Sequence, residues 1–252
     1  MERVEMGTGT SNVSKRGGGG MRNDSANATV MNDAEAWALV QKENMTAAQS
    51  RAVKDYISNT DFDGNGHSLS QTMNFLTDQG VDFNTATAAQ INGQYGTYLS
   101  DSDVARMKNV SSELESAMHP IGRPTILERG AHDDMLRDAF GINDYSQMSL
   151  SQLQSALVGK AYRNTSNLST AYDKNKNPFT SPSSPVSGGR EVIYNMKIGS
   201  GTNVVFGAKK QSEVIIGKGT NFRITGVSYS GKTAYPRNGK PRKQIIIDVE
   251  TF

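Results

Sequence analysis

Three short segments of this 252-residue chain hold side chains whose chemistries complement one another. Leu127-Glu128-Arg129-Gly130 ends in a guanidinium, whose planar fork of donors matches a phosphate or ribose oxygen better than lysine does. The glycine after it lets a ligand come close to the backbone. Leu168-Ser169-Thr170-Ala171 supplies hydroxyls. Gln211-Ser212-Glu213-Val214-Ile215-Ile216-Gly217-Lys218-Gly219-Thr220 places an amide two residues before a carboxylate, at the head of an apolar run that ends in a glycine-rich turn. A carboxylate in a water-poor cleft stabilises positive charge that develops during bond cleavage, as at the oxocarbenium-like centre of glycoside cleavage. Each segment alone is a common strand-end pattern, and it is their joint occurrence in this order that carries information.

The rest of the chain limits what these groups can be part of. There are no cysteines, which excludes a disulfide framework, a thiolate metal site and a cysteine nucleophile. His67, His119 and His132 are too few and too scattered for a zinc enzyme. No stretch approaches the roughly 20 apolar residues needed to cross a bilayer, so a soluble protein without membrane partners is expected. Met1 to Asn23 has no apolar core that would serve as a secretory signal, which implies delivery by another machine if the protein leaves its cell of origin. Net charge is only +2, but acidic residues are in excess over 31–118 and basic ones over 119–252. The two halves should attract each other, and the basic half suits an anionic ligand.

Residues 1–30, rich in Gly, Ser, Asn and Thr, read as a flexible leader, and 31–252 as one domain. Within it, 31–118 is a helical lobe. Thr46-x-x-Gln49 and Ser68-x-x-Gln71 have the form of capping boxes, and Val53/Tyr56/Ile57, Leu69/Met73/Leu76 and Val104/Met107/Leu114/Met118 form apolar stripes. After the break at 119–124 the pattern changes to strands across 119–252, with runs at 126–129, 192–198, 203–206, 212–216, 222–227 and 244–250. One more helix starts at the Ser149-x-x-Gln152 box and runs to Gly159. Helices first and strands later make an α+β fold. The loop 175–189 carries Pro178, Pro182 and Pro185 and is long enough to suggest a functional role. Trp37 is expected to pack in the core or between lobes.

Two other segments invite a functional reading. Asp61-Phe62-Asp63-Gly64-Asn65-Gly66-His67 begins like a calcium loop, but position twelve is Thr72 instead of a bidentate glutamate and position eight is Ser68 instead of an aliphatic residue. It reads as a turn before a helix. Arg237-Asn238-Gly239-Lys240-Pro241-Arg242-Lys243 holds an Asn-Gly turn signal and reads as a solvated hairpin tip, with contact to nucleic acid or an acidic partner as the other reading.

The order of the three site segments resembles the toxin-type mono-ADP-ribosyltransferases of the arginine, serine, glutamate class. The Gln211-x-Glu213 pair is similar to that of the clostridial Rho-modifying exoenzymes and phage-encoded relatives. Glu113 to Met118 resembles the last helix before the family's arginine strand. The departure is Ala171, which stands where the family usually carries the last serine of a Ser-Thr-Ser motif.

The resemblance implies an N-terminal helical lobe packed on a split two-sheet β core, with NAD as co-substrate in the cleft and no metal. It implies Glu213 as the catalytic carboxylate, Ser169 holding it, and Arg129, Gly130, Ser169, Thr170, Phe179 and Glu213 as the NAD site. Phe206 and Gln211 are implied to recognise the acceptor. A neutral Gln211 cannot pair with or deprotonate a guanidinium, so the acceptor is expected not to be arginine. The expected reaction is transfer of ADP-ribose to a target protein by a monomer acting in the cytoplasm of a target or host cell, with a nucleic-acid acceptor not excluded. Alternatives are an NAD glycohydrolase, in which water is the acceptor, and a non-catalytic phage structural or packaged protein of this fold.

Overall fold

The computed structural model describes residues 24–177, 190–235 and 240–252. Five helices come first: α1 (Asp33–Val40), α2 (Ala47–Tyr56), α3 (Leu69–Asp78), α4 (Ala88–Tyr95) and α5 (Asp101–Ala117). Every one of them starts at a capping box, in which a side-chain oxygen before the helix and a side chain in its first turn satisfy each other's backbone N–H. The boxes at Thr46/Gln49 and Ser68/Gln71 are the expected ones. Those at Asn32/Glu35, Thr87/Gln90 and Ser100/Asp103 follow the same three-residue spacing. Along α5 the residues Val104, Met107, Val110 and Leu114 are buried against Val53 and Tyr56 of α2 and Met73 and Leu76 of α3.

The strands follow β1 (Thr29–Val30), β2 (His119–Pro120) and β3 (Thr125–Ala131) with α6 (Asp134–Phe140) and α7 (Leu150–Leu157), then β4 (Ala161–Arg163), β5 (Leu168–Ala171), β6 (Val192–Ile198), β7 (Asn203–Phe206), β8 (Glu213–Ile216), β9 (Asn221–Ala234) and β10 (Arg242–Thr251). They pair in the order β2-β7-β8-β5-β3-β6-β10-β9-β4, with β1 also on β3. The path has one narrow point. β3 pairs with β6 along its whole length but meets β5 only through Glu128 and Ala171, so the sheet consists of two halves that separate at the β3/β5 join. This is the form the expected split core takes.

Alternation along β7 and β8 divides the cores. Val205 and Ile215 belong to the cluster under the helical lobe, whereas Val204, Phe206, Val214 and Ile216 belong to the cluster that α6 and α7 close with Leu136, Leu153 and Leu157. Charge joins the same parts. Arg123 pairs with Glu35 at 2.8 Å, His119 with Glu43 at 3.0 Å, Lys176 with Asp33, and Lys218 with Glu115, in each case a basic group of the second half with an acidic one of the first. The groups of the three Lys and Arg pairs are at least partly solvent-exposed, so each of those pairs is worth at most about 1 kcal/mol and acts on orientation more than stability.

Two expectations need correction. The end of the presumed leader is part of the fold: Ser25 is fully buried with its hydroxyl donating to Thr251 O at 3.1 Å, Asp24 accepts from Ser200 N–H at 2.8 Å, and Thr29–Val30 pairs in parallel with β3. Composition gave no sign of this, because the partners lie far along the chain. Trp37 is not a core residue either, since its side chain stays 47% exposed. In the 61–67 turn, Asp61 Oδ1 accepts from Gly64 and Gly66 N–H, while Asp63 accepts from Asn65 and His67 N–H and from the His67 ring, so both carboxylates serve their own backbone. The Asn238-Gly239 turn lies outside the described residues.

Replacing Asp24 and Ser25 together by alanine is expected to lower stability by about 1–3 kcal/mol, because two long-range hydrogen bonds are lost and a buried carbonyl is left without that donor. Urea denaturation measures this, and an unchanged midpoint would return residues 24–30 to the leader.

Candidate active-site cleft

The three site segments meet at the narrow join. Arg129 follows Glu128, the last residue of β3 to pair with β5, and its Nη1 donates to Ser169 O at 2.7 Å. Arg129 makes no other hydrogen bond or ion pair among the described residues, which leaves the remaining donors of its guanidinium for a ligand. Ser169 lies on β5 two residues before Ala171, and Ala171 is the register partner of Glu213 on β8. Ser169 and Glu213 therefore share a sheet face, the one turned toward the helical lobe, and the Ser169 hydroxyl stands close enough to the Glu213 carboxyl to hold its pKa down. One serine thus stands between both ends of the arrangement, its carbonyl holding the guanidinium and its side chain on the face of the carboxylate.

Glu213 is shaped by the turn before it. Its Oε2 accepts from Ala208 N–H at 3.2 Å, and its backbone exchanges bonds with Gly207 N–H and Ala208 O. A Cβ on Gly207 would lie 2.7 Å from Glu213 Oε2 and 2.9 Å from its carboxyl carbon. Gly207 is absent from the expected site, yet no other residue fits there without moving the carboxylate. A glycine before a strand could have pointed to a close approach, but not to which atom approaches.

Between Gln211 and Glu213, Ser212 adopts φ 52°, the one non-glycine positive φ among the described residues. This conformation costs about 1–2 kcal/mol. It is held by Ser212 N–H on Lys209 O and by Tyr172 N–H on Ser212 O, both near 3.0 Å. Burial raises the Glu213 pKa above the usual carboxylate value, with the Ala208 N–H and the Ser169 hydroxyl acting in the opposite direction.

From the helical lobe, Tyr56 reaches the same cleft. It is fully buried, its hydroxyl donates to Asn74 Oδ1 at 2.9 Å, and Asn74 Nδ2 donates to Asn167 O at 3.2 Å, just before β5. Burial raises its pKa, and both Arg129 and Glu213 lie within electrostatic reach of its hydroxyl, with opposite effects. Across the ladder from Arg129, the buried Tyr194 hydroxyl has no hydrogen-bond partner, and neither has Glu128 Oε1. Asn177 donates its Nδ2–H to Glu128 O at 3.2 Å and ties the segment after β5 to the arginine strand.

The other sequence-assigned residues fall differently. Gly130 is buried in β3 opposite Ile193. Thr170 commits its hydroxyl to Val214 O at 2.6 Å and is 4% exposed. It braces β5 on β8, on the sheet face away from Glu213. Phe206 is 6% exposed and packs in the core with Val214 and Ile216, so it does not stand on the surface as an acceptor-recognising aromatic. The strand alternation that buries Val204 buries Phe206 two residues later. Gln211 closes a short 3-10 turn (Lys209–Gln211) at the mouth of the cleft. Phe179 lies outside the described residues.

Comparison with known proteins gives a consistent picture. The model of the ADP-ribosyltransferase exoenzyme family matches residues 37–252. Among solved structures, the chain is similar to the C3 exoenzyme of Clostridium limosum at 16% identity and TM-score 0.56, over 89% of this chain and 97% of that one. It is similar to an ADP-ribosyltransferase from Clostridium botulinum at 16% identity and TM-score 0.55, over 89% and 98%. The enzymatic component of the C2-toxin from Clostridium botulinum aligns at 15% identity and TM-score 0.55, over 90% of this chain and 48% of that one. No curated protein matches.

Two outcomes follow for Glu213. Gly207→Ala should displace the carboxylate and slow NAD cleavage about 100-fold, with thermal stability changed far less, since misplacement near 1 Å costs about that much. Wild-type turnover in this variant would show that the contact is not needed. Because the folded pKa of Glu213 is raised, the stability it allows is full below the ordinary carboxylate pKa and is lost as pH rises through the folded value. Glu213→Gln should therefore gain stability relative to wild type as pH rises through that window, and thermal melts at about pH 4 and about pH 7 measure the difference.

Proposed function

We propose, for a chain that belongs to the ADP-ribosyltransferase exoenzyme family and is therefore an NAD-dependent mono-ADP-ribosyltransferase, that Glu213 is the catalytic carboxylate, that Arg129 and Ser169 complete the NAD site, and that Gln211 faces the acceptor. The observation that carries this reading is the position of Ser169, whose carbonyl binds Arg129 while its side chain shares a sheet face with Glu213 and lowers the pKa of that carboxyl. The unused donors of Arg129 suit a phosphate, and the Glu213 carboxylate suits a ribose hydroxyl.

In this reading Arg129 anchors the dinucleotide, and Gly130 and Phe179 flank the nicotinamide end. Glu213 accepts a hydrogen bond from the ribose and stabilises the positive charge left when nicotinamide departs with the bonding electrons. Partial burial of Glu213 strengthens that interaction, because less water screens it. Ser169, Ala208 N–H and Gly207 keep the carboxylate from rotating. The acceptor side chain then supplies an electron pair to the ribose carbon and releases its N–H or O–H proton to solvent. Gln211 is neutral, so its amide hydrogen-bonds an Asn, Gln or Thr acceptor and offers no charge to a guanidinium. The target is a protein of a host or target cell, and the enzyme acts as a monomer. Among the described residues no helix is long and apolar enough to cross a membrane.

Purified protein and a Glu213→Ala variant, each incubated with labelled NAD and cell lysate, test the assignment. The variant should lose turnover by about 10³-fold while its NAD affinity changes little, the pattern of a contact made in the transition state. Equal labelling by the two proteins would remove Glu213 from the reaction. Free ADP-ribose without any protein adduct would make the chain a glycohydrolase.

A further inference from the structure

We propose that the acceptor is held by a surface built from Trp37 and the Lys209–Lys210 pair, and that the acceptor meets it with an acidic protein surface carrying an apolar side chain. This rests on the transferase reading above. Phe206 is in the core, so the turn that carries Gln211 offers a partner only Gly207, Ala208, Lys209 and Lys210 before it. The exposed aromatic beside that turn comes from α1. Trp37 is 47% exposed, and Lys209 Nζ stands 4.2 Å over its ring, two residues from Gln211.

The surface is braced from a second side. Asp33 at the head of α1 accepts from the Tyr172 hydroxyl at 3.0 Å and pairs with Lys176, and both partners lie on the segment after β5. α1, that segment and the Gln211 turn therefore form one face at the mouth of the cleft. Its charge is positive. Lys176 is shared by Asp33 and Asp173, whereas the exposed Lys174, Lys209 and Lys210 have no ion-pair partner among the described residues, which leaves basic groups in excess on this face. An exposed tryptophan with Lys209 over its ring, on a face that also carries Lys174 and Lys210, fits an acidic protein surface with an apolar residue to cover the ring, the composition of a binding hot spot. Single-stranded nucleic acid is the weaker fit, since it needs successive aromatic platforms along a basic groove.

The test uses the full chain, NAD labelled in its ADP moiety, and cell lysate as the source of acceptor, with NAD hydrolysis measured separately in buffer. Trp37→Ala and Lys209→Glu should each lower the initial rate of protein labelling about tenfold or more. Hydrolysis without lysate should stay within about twofold, because neither side chain takes part in NAD cleavage. Wild-type labelling should fall with added salt more steeply than that of Lys209→Glu. Tyr98→Ala, which removes an exposed aromatic from the α4–α5 connection, should change neither rate.

Unchanged labelling in both variants overturns the proposal, as does parallel loss of labelling and hydrolysis in Lys209→Glu, or label that nuclease removes. Hydrolysis by the wild type with no labelled protein overturns this docking surface and leaves the NAD site standing. Absence of hydrolysis and labelling alike overturns the transferase reading itself.

Discussion

Ser169 joins the two halves of this molecule at their weakest seam. Between β3 and β5 the ladder consists of one register pair, Glu128 with Ala171, and directly beyond it the Arg129 guanidinium takes over by binding the Ser169 carbonyl. A charge-assisted bond here compensates for ladder bonds that are missing, and it does so where the separating strands open space for a ligand. The same opening exposes the remaining guanidinium donors and the face of β5 that carries the Ser169 hydroxyl. Function and architecture thus depend on one local feature, a sheet that parts without coming apart.

Around that seam the chain accepts local costs. Ser212 adopts a left-handed backbone, Glu213 is partly buried with its carboxyl pKa raised, and the Tyr194 hydroxyl is buried without a partner. Each runs against stability, and the first two are adjacent at the cleft, the distribution expected where geometry is kept for chemistry. The opposing contributions are nearby and specific: the Ala208 N–H on the carboxylate, Tyr172 N–H on the Ser212 carbonyl, and Gly207 leaving room for the carboxylate that no side chain could leave.

The helical lobe is more than a cover. Tyr56 and Asn74 form a hydrogen-bonded string to the segment before β5, and Glu43, whose side chain is 2% exposed, accepts from Phe206 N–H at 3.3 Å and pairs with His119. The lobe therefore fixes both the strand that carries Ser169 and the root of the turn that carries Glu213. Among the described residues, acidic groups of the lobe meet basic groups of the sheet half in three ion pairs and in the His119–Glu43 contact, so the charge asymmetry visible in the chain is resolved internally as much as toward a ligand.

Local signals in the sequence determined the elements. Capping boxes, apolar stripes and alternating strands specify helices and strands through interactions a few residues long, which is why Thr46/Gln49, the Val104–Leu114 stripe and the run at 192–198 were legible. The order of Arg129, Ser169 and Glu213 was legible as a family resemblance. What only the tertiary structure decided was how side chains are turned and what they meet. Thr170 and Phe206 lie next to site residues in the chain but point to the opposite face, Trp37 stays exposed, Gly207 is the close neighbour of the carboxylate, and residues 24–30 join the fold. The physical reason is that facing depends on strand register, and burial on partners distant in the chain. Neither is encoded by the few neighbouring residues from which composition and periodicity are read.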